Sequence, residues 1–414
     1  MSVLSTRLRA RRRVSRSGRV AAVVVAVLVV VLTGAAADAP SAPLVPGSRG
    51  DPAALAATPP LGLDDWNAVG CTDAFDEAWV RAQADALVRT GLRDVGYRYV
   101  NLDDCWAAPR RDAAGRLVPD PVRFPHGIAA LAGYLHARGL RLGIYTSAGT
   151  LTCDARGFPG SLGHETADAA SFAAWGVDYV KEDDCSTAGT DAVARYTVMA
   201  RALRATGRPM VFAVCDKGDS SPWLWAPGVA QLWRTTPDVA DDWASVAGII
   251  RLDVAVAGRS GPPPGRGWND PDMLEVGNGS GQSVTGDGTV DVGLTPTEQA
   301  SQMAVWSMLS APLLAGTDLA RATPATIALL GDRALVAIDQ DPAARPPAAD
   351  LDVASGRLVL RRRLADGSSA VSVTALADAV PVPEGVTGRD LVRGGPVVPG
   401  ALVPAHATVV IRAR

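Results

Sequence analysis

The residues in this chain with the most chemical potential are carboxylates placed beside its scarce lysines. Of 40 basic residues 38 are arginine, and the two lysines, Lys181 and Lys217, both stand next to acids. Lys181 opens the run Lys181-Glu182-Asp183-Asp184-Cys185, which continues an apolar stretch beginning at Val177. If that run ends a strand, alternation places Lys181 and Asp183 on one face and Glu182 on the other. An ammonium beside a carboxylate keeps it ionised, the state a nucleophile requires. The alternative is an ion pair inside the fold with no part in catalysis, and spacing alone does not separate the two. A second acid, Asp238, ends Trp233-Arg234-Thr235-Thr236-Pro237-Asp238. Facing Asp183, it would complete an acid and base pair of one ionised and one protonated carboxyl. The Asp241-Asp242 pair that follows reads instead as a helix cap and dipole partner.

A third acidic site, Asp103-Asp104-Cys105-Trp106, suits sugar hydroxyls, because carboxylates accept several hydrogen bonds at once. Calcium is the competing ligand, but it draws six to eight oxygens from an organised loop, and no such loop is visible. Trp66, Trp106 and Trp268 could stack on sugar rings, although buried tryptophans are more often plain core. Three of the four asparagines, Asn67, Asn101 and Asn269, fall in the same strand-end segments and suggest a polar pocket. The four histidines, His126, His136, His164 and His406, are scattered singly, which argues against a metal centre. No cofactor is expected. A net charge of −3 offers no basic field for nucleic acid.

These acids need strands to carry them. Apolar runs closing on polar or acidic residues recur at Leu61 to Asp65, Tyr97 to Asp104, Arg141 to Tyr145, Val177 to Asp184, Met210 to Asp216, Leu232 to Asp238, Pro312 to Asp318 and Ala334 to Asp341. Stretches with helical period lie between them, such as Glu77 to Thr90 and Ile128 to Ala137. Eight strands alternating with helices imply a (β/α)8 barrel of the α/β class, with its site at the C-terminal ends of the strands. A doubly wound open sheet is the rival, but no glycine-rich phosphate fingerprint follows the first strand. No Phe, Trp or Tyr occurs after Trp306. The short Val/Leu runs Arg357 to Arg361 and Ala370 to Thr374, parted by turn residues, read as a small antiparallel β-sandwich.

Residues 1–37 have the form of an export signal: seven arginines from Arg7 to Arg19, an apolar run from Val20 to Leu32, and Ala35-Ala36-Ala37 as a cleavage site. The thirteen apolar residues fall short of the ~20 that span a bilayer. The arginine pairs also permit a twin-arginine route. Cleavage would take the charge from −3 to −10, giving a secreted acidic protein with no affinity for anionic membranes. The expected organisation is signal 1–37, linker 38–57, barrel 58–345 and β domain 346–414. Five cysteines, Cys71, Cys105, Cys153, Cys185 and Cys215, would make two bridges in an oxidising compartment and leave one thiol, with the pairing open. Nothing in the sequence signals an oligomeric state.

From about Thr58 to Pro342 the sequence resembles the melibiase-type α-galactosidases of glycoside hydrolase family 27. The motifs occur in the family's order: Thr58-Pro59-Pro60-Leu61-Gly62, Tyr99-Val100-Asn101-Leu102-Asp103-Asp104-Cys105-Trp106, Asp120-Pro121 with Arg123-Phe124-Pro125, Leu142-Gly143-Ile144-Tyr145, Trp175-Gly176-Val177-Asp178, Gly267-Trp268-Asn269-Asp270-Pro271-Asp272-Met273-Leu274 and Ala337-Ile338-Asp339-Gln340-Asp341. The resemblance implies a barrel followed by an antiparallel β domain, Asp183 as nucleophile and Asp238 as acid/base. It implies Trp66, Asp103, Asp104, Tyr145, Cys153, Lys181, Asp216, Arg234 and Asp272 as sugar-binding residues. It also implies bridges Cys71 with Cys105 and Cys153 with Cys185, leaving Cys215 free. The activity implied is retaining hydrolysis of terminal α-galactosyl residues of oligosaccharides or polysaccharides by double displacement.

Several positions depart from the family's pattern. Cys215-Asp216-Lys217 stands where Cys-Glu-Trp is common, shortening the acid near the sugar 2-hydroxyl and replacing an aromatic with a cation. Leu63 replaces a frequent tryptophan, Glu182 an aromatic, and Ser147 a frequent aspartate. A β-L-arabinopyranosidase, an α-N-acetylgalactosaminidase or a non-catalytic galactoside-binding protein are the alternatives. Asp216 argues against the second of these, while Ser220 leaves some room. The Asp103-Asp104 pair favours galactose.

Overall fold

The computed structural model describes residues 55–413 apart from 188, 264, 280–282, 285–289 and 292; the expected export signal and all but the end of the expected linker lie outside the described residues. Eight parallel strands form the frame: β1 (Leu61–Asp64), β2 (Tyr99–Asn101), β3 (Arg141–Ser147), β4 (Tyr179–Asp183), β5 (Val211–Cys215), β6 (Leu232–Arg234), β7 (Trp268–Asp270) and β8 (Leu313–Ala315). They pair in the order β8-β1-β2-β3-β4-β5-β6-β7. Just past β7, Leu274 pairs in parallel with Ala315, donating its N–H to Leu314 O at 2.8 Å and accepting from Gly316 N at 2.9 Å. That contact joins the two edges, so the sheet is a closed (β/α)8 barrel.

Seven of the eight expected strands are present. The run Ala334 to Asp341 is instead part of a helix, Arg333–Asp339, because the Asp332 carboxylate accepts from the N–H groups of Ala334 and Leu335 and starts a turn there. The remaining barrel strand is Trp268–Asp270. Three residues with two polar members show no apolar run, which hid it from periodicity.

Helices between the strands start where the sequence supplies caps. Asp76 accepts from Trp79 N ahead of helix Glu77–Arg89, and Asp242 from Ser245 N ahead of helix Trp243–Val254. Thr295 and Glu298 form a reciprocal capping box on helix Pro296–Leu309. Inside the barrel Tyr99, Tyr179, Val211, Ala213, Leu232 and Trp268 pack as one hydrophobic cluster, joined by Ala344. At Gly143 a Cβ would collide with the Asn101 side chain on the next strand, so the close approach of β2 and β3 depends on glycine there.

After the barrel, β9 (Ala348–Asp352), β10 (Arg357–Arg363), β11 (Ser369–Ala375) and β12 (Thr408–Ala413) make an antiparallel sheet in that order. Alternation sorts its side chains: Leu358 and Leu360 join the barrel's hydrophobic core, while Val359, Val373 and Ile411 pack with Val380, Val397 and Val403 of two short ribbons. Helix Pro296–Leu309 lies between barrel and sheet and is buried from Ser301 through Leu309. Trp243 Nε1 donates to Leu376 O at 3.1 Å and Ser301 Oγ to His406 O at 2.7 Å across this junction. Among the described residues no helix is long and apolar enough to cross a membrane.

Candidate active site

The C-terminal ends of the strands converge on one pocket, lined by Trp66, Asn67, Asp103, Asp104, Tyr145, Cys153, Lys181, Asp183, Lys217, Arg234, Asp238, Asp272 and Met273. Strand alternation delivers Lys181 and Asp183 to it and turns Glu182 outward among the helices, where it is fully buried. Asp183 is held from three sides. Its Oδ1 accepts from Asp184 N at 2.9 Å and lies 3.3 Å from Lys217 Nζ, and its Oδ2 accepts from the Tyr145 hydroxyl at 3.1 Å. Burial pushes its carboxyl up. The Lys217 and Lys181 cations, with the two hydrogen bonds, outweigh that and hold it below the usual carboxylate range. An ionised, nearly buried carboxylate is what a nucleophile needs.

Asp238 stands at the rim. Its side chain is 67% exposed against 9% for Asp183. Arg234, buried below it, fixes it with Nη2 3.1 Å from Asp238 Oδ1 and 2.9 Å from Asp272 Oδ2. The same nitrogen donates to Pro237 O at 2.8 Å, so the guanidinium sets both the loop and the carboxylates. Asp272 also accepts from Val239 N at 2.9 Å, which ties the Asp238 loop to the end of β7. Asp272 itself sits at φ +85°, a left-handed conformation uncommon for a residue with a Cβ.

The floor is acidic. Lys181 Nζ donates to Asp103 Oδ2 at 2.6 Å. Asp104 accepts from Cys105 N at 2.7 Å and Asp154 N at 2.9 Å, and burial raises its carboxyl to about 6. Below them Asp65 accepts from Asp103 N at 3.0 Å, and burial raises Asp64 to about 8. A carboxyl raised that far is protonated at neutral pH, which relieves the repulsion of four neighbouring acids. The sequence did show Asp64 and Asp65 as an acid pair closing the first strand, the same signal as Asp103-Asp104. Lys217 and Met273 line the pocket as well; the sequence marked Lys217 as a lysine beside acids but gave neither residue a place in the site.

The disulfides are Cys71–Cys105 and Cys153–Cys185, with Cα separations of 5.6 and 5.1 Å, and Cys215 is a buried free thiol. The second bridge forms part of the pocket wall through Cys153.

Other candidates lie elsewhere. Asp216 is not in the pocket; its carboxylate accepts from Gly218 N at 3.1 Å, from Ser220 N at 3.2 Å and from the Ser220 hydroxyl, all in its own loop. Of the three tryptophans only Trp66 is open to solvent, 36% exposed. Trp106 and Trp268 are core, their indole N–H groups donating to Tyr145 O and Ala56 O at 2.8 Å. Asn101 and Asn269 are buried away from the pocket, and Asn269 accepts from Trp233 Nε1 at 3.0 Å. Asn67 does reach it, and it also lines a larger adjoining cavity of about 470 Å³ bounded by Glu275, Asn278 and Arg321. Asp242 caps its helix as expected.

Residues 58–341 match the sequence profile of the family described as alpha galactosidase A. An alpha-galactosidase of Cyamopsis tetragonoloba is 44% identical over 287 residues, covering 69% of this chain and 65% of that protein, so the match spans less than two thirds of the relative's length. An alpha-N-acetylgalactosaminidase of Gallus gallus is 41% identical over 305 residues, covering 70% of this chain and 71% of its own. Among solved structures, alpha-galactosidase I of Mortierella vinacea superposes with a TM-score of 0.77 at 31% identity, over 87% of this chain and 98% of its own.

Proposed function

The chain belongs to the alpha galactosidase A family, and from that premise we propose that it is an exported, retaining exo-α-galactosidase releasing terminal α-D-galactosyl residues from oligosaccharides or polysaccharides. One observation carries the reading: a buried, ionised carboxylate, Asp183, and a rim carboxylate, Asp238, border one pocket. Lys217 Nζ lies 3.3 Å from the first and 4.0 Å from the second, so their oxygens are separated by no more than the sum of those distances. Retaining glycosidases hold the pair about 5 Å apart.

In this mechanism Asp183 attacks the anomeric carbon as Asp238 protonates the departing oxygen, giving a galactosyl ester. Asp238, now a base, then activates water to resolve it. Exposure of Asp238 suits a group that must trade protons with water in every cycle. Asp103, Asp104 and Lys181 would take the hydroxyls deep in the pocket, Trp66 would cover the ring, and the Cys153–Cys185 bridge would form a wall. No step calls for a metal or organic cofactor. The two disulfides support an oxidising destination, in keeping with a signal at residues 1–37.

The test is a rate comparison on nitrophenyl α-galactoside, β-L-arabinopyranoside and N-acetyl-α-galactosaminide, with proton NMR of the sugar first released. Fastest turnover of the galactoside with the α-anomer appearing first supports the reading. Inversion, or galactose binding in calorimetry with no hydrolysis of any substrate, overturns it.

A further inference from the structure

Asp64 ends β1 and Asp65 follows it, both buried beneath the pocket. Each holds the backbone of a different pocket residue. Asp64 Oδ1 accepts from Trp66 N at 3.2 Å, and Asp65 Oδ1 accepts from Asp103 N at 3.0 Å. The two bonds anchor the residue that would cover the sugar ring and one that would take its deep hydroxyls.

Charge does not balance around this pair. Asp64 shares a small inner cavity with Tyr179 and Lys181 of β4, Cys215 of β5, Arg234 of β6, and Asp270 and Asp272 at the end of β7. Arg234 is paired with Asp272 at 2.9 Å and Asp238 at 3.1 Å, and Lys181 with Asp103 at 2.6 Å. Among the described residues neither Asp64 nor Asp65 has an ion pair, and Asp65 Oδ2 is buried with no hydrogen-bond partner. A carboxylate buried without a cation is costly and neutralises by keeping a proton. A neutral acid still accepts through its carbonyl oxygen, so both anchoring bonds survive. Burial raises Asp64 to about 8 against the pull of Lys181. It raises Asp65 well above its ordinary range, with the charges of Asp64 and Asp103 adding to it.

Ionising the pair would set a new carboxylate against the ammonium on which Asp103 depends, since Lys181 interacts with Asp103 first and Asp64 next. We propose that Asp64 and Asp65 are positioning residues that anchor Trp66 and Asp103 as neutral acids, and that losing their proton divides Lys181 between Asp64 and Asp103 and weakens the grip on galactose. The inference rests on the α-galactosidase reading for its ligand. It adds an alkaline limit set below the pocket, apart from the reacting carboxyls.

Calorimetry with galactose between pH 6 and 10 tests it, on wild type and on Asp64→Asn with Asp65→Asn, both checked by thermal melting. Wild-type affinity should hold to about pH 8 and then fall, approaching tenfold per pH unit. In buffers of different ionisation enthalpy, binding at pH 9 should take up close to one proton that binding at pH 7 does not. The double variant, whose amides stay neutral, should bind at pH 9 within about threefold of its affinity at pH 7. A wild-type affinity that does not fall by pH 10, no proton uptake at pH 9, or a fall that persists unchanged in the double variant overturns the proposal. If the double variant does not fold, proton uptake by wild type decides alone. Galactose binding by wild type at pH 6 keeps the α-galactosidase reading whatever the profile; no binding at any pH removes both.

Discussion

The Tyr145 hydroxyl donates to Asp183 Oδ2 at 3.1 Å, from a neighbouring strand whose register sets Tyr145 opposite Lys181 and Ser147 opposite Asp183. The bond is one of the contacts that hold Asp183 ionised against its burial. Tyr145→Phe should therefore raise the Asp183 pKa. A nucleophile is lost as pH falls through its own pKa, so the acidic limb of the kcat/KM profile should move to higher pH. At the optimum we expect about a tenfold loss, the scale of one hydrogen bond to a charged group. A pH–rate series on the nitrophenyl galactoside checks both, and a limb that stays put or moves down refutes the assignment.

Asp183→Asn should abolish turnover while leaving the thermal transition near that of wild type, because an amide cannot form the galactosyl ester. Asp238→Asn should behave differently. Its loss, on the scale of 10²–10⁴ for a general acid, should be large with oligosaccharide leaving groups and much smaller in the first step with nitrophenolate, which departs without a proton. Equal losses on the two kinds of substrate would remove Asp238 from the acid role.

Glu182 lies between Lys181 and Asp183 in sequence but faces the helices, fully buried, with neither carboxylate oxygen hydrogen-bonded. Burial, reinforced by the charge of Glu165, raises it well above its ordinary 4.5. The folded chain thus keeps a proton that the unfolded chain releases, and this residue subtracts stability as pH climbs past about 4.5. Glu182→Leu should raise Tm at pH 7, removing an unsatisfied polar group worth roughly 1–3 kcal/mol. The gap from wild type should widen between pH 5 and 8. Melting curves that stay parallel across that range would mean Glu182 is ionised or solvated.

The Cys153–Cys185 bridge closes a sequence separation of 32 residues and forms part of the pocket wall. Cys153→Ser with Cys185→Ser should lower stability by about 3–4 kcal/mol on loop-closure grounds. It should also raise KM for the galactoside, since Cys185 lies two residues beyond Asp183. Calorimetry and steady-state kinetics on the double variant test the two effects separately.

Much of this site could be read from the chain. Alternation in Lys181-Glu182-Asp183 turned the outer two inward, as the structure has them, and the strand ends rich in acids lie at the end of the barrel that holds this pocket. What stayed hidden was conformation. Lys217 and Asp272 reach the pocket from left-handed backbone, and Asp216 bends away from it, which no periodicity encodes. The strand Trp268–Asp270 was too short and too polar to register as one. The run Ala334 to Asp341 misled for the opposite reason: Val336 and Ile338 suit a strand, but the Asp332 cap and packing against helix Pro296–Leu309 made it helical. Trp106 and Trp268 show that residue type says what a side chain can do, while burial decides what it does.

Helix Pro296–Leu309 has barrel on one flank and the C-terminal sheet on the other, and Arg362 from that sheet is buried against Ser307 O at 3.4 Å. A helix dry along both flanks leaves no seam at which the two modules can be parted. Trimming the sheet to reach a smaller chain would bare a greasy, half-charged scar, so shuffling or shortening has to cut outside this junction and carry both halves together.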